Sequence, residues 1–86
     1  MRGFSVSEDI YKSLTEILHD VFDDDSIIAT PELTANDVEA WDSVSNIRLF
    51  VAIESELGIQ FSNAEITGLK NVGELVTLIQ RKQRAR

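Results

Sequence analysis

Three groups of side chains in this sequence are of a type that does chemistry. Ser43 follows Asp42 directly, and its hydroxyl is a candidate nucleophile or a candidate acceptor for a transferred group. His19 is the single histidine and the natural general base. Asp20, Asp23, Asp24 and Asp25 crowd carboxylates of the kind that attract divalent cations. Each group also has a plainer role. A Ser-His-Asp triad is defined by geometry, and nothing in the sequence brings Ser43, His19 and an aspartate together. The aspartate run lacks the alternating ligands, central glycine and distal glutamate of an EF-hand loop, so weak incidental ion binding is the most it implies and no metal site is expected. There is no cysteine, which excludes disulfides, thiolate zinc sites and a cysteine nucleophile. Walker and G-x-G-x-x-G motifs are absent as well. The chain does not read as an enzyme.

The elements that must position Ser43 are helical. Ile10, Leu14, Ile17, Leu18, Val21 and Phe22 recur at spacings of three and four, which predicts a first helix over about 7–22. Ser5 with Glu8, or Ser7, supplies its cap. His19 then falls on this helix, at the surface near the acidic loop. Residues 23–41 hold the only proline and no sustained period, with Leu33, Val38 and Trp41 as anchors to the core. So long a loop in a small domain is functional or contains a helical turn. The second helix runs from Ser43 to Leu57 and stops at Gly58. A short third helix spans 62–67 with a Ser62/Glu65 capping box, and a fourth spans 72–83 behind Asn71. No strand pattern competes. The expected fold is all-α: a small four-helix bundle of three longer helices and one short one, with a long loop between helices one and two, in a single domain over 1–86. Residues 81–86 read as a frayed basic tail.

The second helix carries two apolar stripes. Leu49, Phe50, Ile53 and Leu57 group on one side; Val44, Ile47 and Val51 group on the other, beside Arg48, Glu54 and Ser55. One core needs only one stripe. In a chain of 86 residues a second covering layer is hard to supply, so the second stripe favours a partner. At the start of the same helix, free N–H groups and the helix dipole favour a phosphate beside Ser43. Taken alone, a cap is the better reading and explains Asp42 and Ser43 completely.

Charge limits the partners. The chain has 15 acids and 8 Lys plus Arg, a net charge of −7. From Ser13 to Ile47 there are nine acids and no Lys or Arg. Nucleic acid and anionic membranes are excluded as partners, because both are bound through Lys and Arg. Basic protein surfaces are favoured. No segment approaches the roughly 20 apolar residues of a membrane span, and no signal-peptide stretch follows Met1, so a cytoplasmic location and a monomer are expected.

Trp41-Asp42-Ser43-Val44, followed by Ile47, Leu49, Ala52, Ile53, Glu54, Glu56, Leu57, Gly58 and Ile59, resembles the modification segment of acyl carrier proteins. Phe61, Glu65-Ile66, Leu69, Asn71-Val72, Leu75-Val76 and Ile79 resemble the rest of that pattern. The likeness is densest over about 41–80 and is of the stand-alone type. It implies that Ser43, with Asp42 as motif neighbour, receives 4′-phosphopantetheine from coenzyme A by a phosphopantetheinyl transferase. Acyl groups would then be held as thioesters on that arm. It further implies a loading ligase or acyltransferase and downstream synthase-type enzymes as partners, in fatty-acid, polyketide or related secondary acyl metabolism. Val44, Ile47 and Val51 match the family's partner-contact positions, and Glu54 an acidic one. Ser45 and Arg48 stand where the best-known fatty-acid carriers have acids, which points to a dedicated partner set. Two alternatives stand beside this: a peptidyl or aminoacyl carrier, and an unmodified helical interaction module using the Val44/Ile47/Val51 face.

Overall fold

The computed structural model describes residues 6–84. Four helices follow in order: α1 (Val6–Phe22), α2 (Ser43–Leu57), α3 (Asn63–Gly68) and α4 (Val72–Arg84), with a 3-10 turn at Ala35–Asp37 in the first loop. The described residues contain no strand. Helix α1 packs against α2 and α4. Its buried stripe of Ile10, Leu14, Ile17 and Leu18 meets Leu49, Phe50 and Ile53 of α2 and Val72, Leu75, Val76 and Ile79 of α4 in one core. Each such fully buried side chain contributes about 1.5–3 kcal/mol. Phe61 closes one end, edge-on to Phe50 with ring centroids 5.1 Å apart. Of the caps expected for α1, Ser5 and Ser7 lie outside the residues whose side chains are described.

The helix ends follow local chemistry. Asp42 N-caps α2, its Oδ1 accepting from Ser45 N–H at 2.9 Å. Gly58 ends α2 in the left-handed region (φ 67°), where a side chain would be strained, and donates its N–H to Glu54 O. Ser62 and Glu65 form the reciprocal capping box of α3. Asn71 Oδ1 accepts from Glu74 N–H and caps α4.

One expectation is corrected. Helix α4 continues through Arg84, so the basic end is helical where a frayed tail from 81 was expected; residues 85 and 86 lie outside the described residues. Lys82 explains the difference. Its Nζ lies 2.9 Å from Glu65 Oε1 and 5.6 Å from the Phe61 ring centroid, tying the last turns to α3. His19 is partly exposed beside the acidic run, its Nδ1 4.0 Å from Asp25 Oδ1. It is half-buried, and its Nε2 lies 2.7 Å from Ile27 O. A carbonyl oxygen only accepts, so Nε2 carries the proton.

That bond is one of several that fold the first loop onto the helices. Thr15 Oγ1 accepts from Ala29 N–H at 3.0 Å, while Val72 and Gly73 donate their N–H groups to Leu33 O and Pro31 O. At Gly73 a Cβ would stand 3.1 Å from Pro31 O, so glycine is what lets the loop approach α4 this closely. Ile27 and Ala29 are the buried loop anchors; the expected anchors Leu33, Val38 and Trp41 are half-buried against the core.

Candidate functional site

Ser43 is the first residue of α2 and is exposed. Its neighbours are all committed to holding the turn. Asp42 is the cap. Ser45 donates its N–H to Asp42 Oδ1 and its hydroxyl to Ala40 O at 2.9 Å. The Trp41 indole N–H donates to Asn46 Oδ1 at 2.9 Å, and the Trp41 ring leans on Phe22 with centroids 5.5 Å apart. Asn46 N–H donates to Asp42 O. The Ser43 hydroxyl makes no hydrogen bond among the described residues. Capping therefore accounts for Asp42 and leaves Ser43 unexplained as a structural residue. Hydrogen bonding from Ser45, its backbone N–H foremost, holds the Asp42 carboxyl below its ordinary value and so ionised at neutral pH.

Beside Ser43 a cleft of about 440 Å³ opens between the first loop, the start of α2, α3 and the start of α4. Leu33, Trp41, Phe50, Leu69, Val72 and Leu75 supply its apolar walls, and Asn46 and Lys70 are among its polar lining. No histidine lines it, and His19 Nε2 is engaged with Ile27 O, so the fold does not bring His19 to Ser43. Among the described residues no three His, Cys, Asp or Glu side chains converge to hold a metal ion, the Asp20–Asp25 run included. No helix among the described residues is long and apolar enough to cross a membrane.

The second stripe of α2 is exposed: Val44 is 67%, Ile47 65% and Val51 58% accessible, while Leu49, Phe50 and Ile53 are buried. Arg48 is exposed within this stripe and forms no ion pair among the described residues. Glu54 is a different case. It is half-buried, and its Oε2 accepts from Phe61 N–H at 2.9 Å, which braces the chain after Gly58. Sequence reasoning singled out neither this brace nor Asn46. The one available signal for Asn46 was its place three residues after Ser43, on the same helical face.

No family model matches the sequence. An acyl carrier protein of Rickettsia canadensis is 31% identical over 80 residues, 92% of each chain. This chain belongs to the acyl carrier protein family. A meromycolate extension acyl carrier protein of Mycobacterium leprae is 31% identical over 74 residues, 86% of this chain. The match spans only 64% of that relative's length. The solution structure of a holo acyl carrier protein from Geobacter metallireducens superposes with a TM-score of 0.83 at 45% identity, covering 87% of this chain and 86% of that one. The all-helical fold is that of the family, and the protein is a carrier rather than an enzyme. The family's prosthetic group is 4′-phosphopantetheine, and the free Ser43 hydroxyl at a helix N-terminus beside an open cleft fits it.

Proposed function

We propose that Ser43 is the attachment point of 4′-phosphopantetheine and that the protein presents acyl thioesters to the enzymes of a fatty-acid, polyketide or related secondary acyl pathway. One observation carries this reading: the Ser43 hydroxyl is exposed and free while Trp41, Asp42, Ser45 and Asn46 around it are all bonded. In the transfer, Ser43 Oγ attacks the β-phosphorus of coenzyme A, 3′,5′-adenosine bisphosphate leaves, and the hydroxyl proton goes to a base of the transferase. When bound, the group supplies a thiol on a flexible arm, which this cysteine-free chain lacks. Apolar cleft walls beside Ser43 favour acyl over aminoacyl cargo.

Val44, Ile47 and Val51, with Arg48 among them, form the docking face for the transferase, the loading enzyme and the downstream synthase. A monomeric carrier in the cytoplasm suits these roles. The test is incubation with coenzyme A and a broad-specificity phosphopantetheinyl transferase, followed by intact mass. A gain of one phosphopantetheine is expected, and none for Ser43→Ala. No gain, under conditions that modify a control carrier, overturns the reading and leaves an unmodified interaction module.

A further inference from the structure

We infer that Asn46 is a binding residue for the phosphodiester that joins the arm to Ser43, with its amide locked in the donating orientation by Trp41. This rests on the Ser43 reading and adds a residue to it. A carboxamide has one accepting and one donating end, and its orientation is decided by its partners. The indole N–H is a donor only. At 2.9 Å from Asn46, it fixes Oδ1 towards Trp41 and turns Nδ2 away. The indole is itself fixed, by its contact with Phe22 and by Trp41 N–H donating to Val38 O. Nδ2 has no hydrogen-bond partner among the described residues, and it is not buried. Two N–H donors are therefore presented in a fixed direction with no acceptor among the described residues.

Their place decides what they receive. Side chains three apart on a helix are neighbours, with Cβ atoms about 5–6 Å apart. Ser43 and Asn46 stand in that relation and line the same cleft. On the Ser43 reading, the acceptors nearest that position are the phosphodiester oxygens bonded next to Ser43 Oγ. Hydrogen bonds to them are charge-assisted, roughly twice as strong as neutral ones. Carbonyl oxygens further along the arm have the same chemistry but lie on its flexible part. The phosphorus resonance distinguishes the two.

The experiment uses the full chain, ¹⁵N-labelled, before and after modification. On conversion to the holo form the Asn46 side-chain amide resonances shift well beyond those of Asn63, which does not line the cleft. Asn46→Asp keeps an acceptor for the indole and removes both donors, so its holo form shows a displaced ³¹P resonance. Trp41→Phe keeps the ring and frees the amide to flip, which reduces the Asn46 shift. An Asn46 shift no larger than that of Asn63 overturns the inference, and this needs no variant to fold or be modified. An Asn46 shift with an unchanged ³¹P resonance in Asn46→Asp assigns the donors to an arm carbonyl and overturns the phosphodiester assignment. If the wild-type chain gains no mass, the Ser43 reading falls and the inference with it; modification with a silent Asn46 overturns the inference alone.

Discussion

Val51→Glu separates a docking face from a core. Fully burying a valine contributes about 1.5 kcal/mol at the low end of the range for such side chains. Val51 is 58% exposed, so under half of that, about 0.6 kcal/mol, is at risk. Glutamate is the better helix former by a few tenths of a kcal/mol. Arg48 three residues before attracts the new charge and Glu54 three residues after repels it, each by about 0.2–0.5 kcal/mol. The sum is close to zero. In a domain of this size 1 kcal/mol moves Tm by about 4–8 °C, so the shift stays below about 5 °C. Ile53 is 0% exposed on the opposite side of the same helix. Ile53→Ala costs about 2–5 kcal/mol, which lowers Tm by about 10 °C or more. For docking the order reverses. A carboxylate placed in an apolar contact costs about 2 kcal/mol at a central position, and about 2 kcal/mol is a roughly 30-fold loss of kcat/KM with the transferase. Circular-dichroism melts and transfer kinetics on the same samples read both effects. A Tm loss above about 10 °C for Val51→Glu would place Val51 in the core; unchanged kinetics with unchanged Tm would remove the stripe from the docking face.

Thr15→Ala leaves the Ala29 N–H without its acceptor, at a cost of about 1–3 kcal/mol. Hydrogen exchange at Ala29 should accelerate, and Thr15→Ser should restore its protection. Glu65 has its carboxyl held below its ordinary value, first by the Ser62 backbone N–H and then by Lys82. A lowered folded-state value means the contribution is full above the unfolded-state value of 4.5 and is lost as pH falls from there through the folded-state value. Melts between pH 6 and pH 3 should therefore show a smaller acid-induced loss of Tm for Glu65→Gln than for the wild type; parallel losses would contradict the assignment.

What was legible in the sequence was what short-range chemistry decides. The α2 boundaries follow from a capping aspartate and a terminating glycine, both local, and they stand at Asp42 and Gly58. Periodicity alone separated the Leu49/Phe50/Ile53 stripe from Val44/Ile47/Val51, and burial divides them the same way. The bond of His19 was hidden because its partner is the backbone carbonyl of Ile27, which reaches it only after the loop has turned back over α1. Ile27 and Ala29 anchor the loop without any periodic pattern to mark them. Lys82 looked like part of a loose basic end because Glu65 and Phe61 meet it only through tertiary packing. The cleft was invisible for the same reason: its walls come from the first loop, α2, α3 and α4, and no window of sequence contains them together.

Charge and contact are divided between different residues of this carrier. Exposed acids stand on the first loop, at Asp23, Asp24, Asp25, Asp37 and Glu39. The proposed docking stripe has no free acid of its own, since Glu54 is turned to Phe61 N–H and Arg48 is the exposed charge beside Val44, Ile47 and Val51. Long-range attraction raises association rates and weakens with salt, whereas close apolar contact governs dissociation. Neutralising the loop acids should then slow association of the transferase and flatten its salt dependence, with little change in dissociation. Changing Val44, Ile47 or Val51 should do the reverse. Arg48 belongs with the second group, because a lone cation at the contact discriminates between partner surfaces by what faces it. A stopped-flow series at two ionic strengths resolves the two groups, and loop-acid variants that altered only dissociation would refute the division.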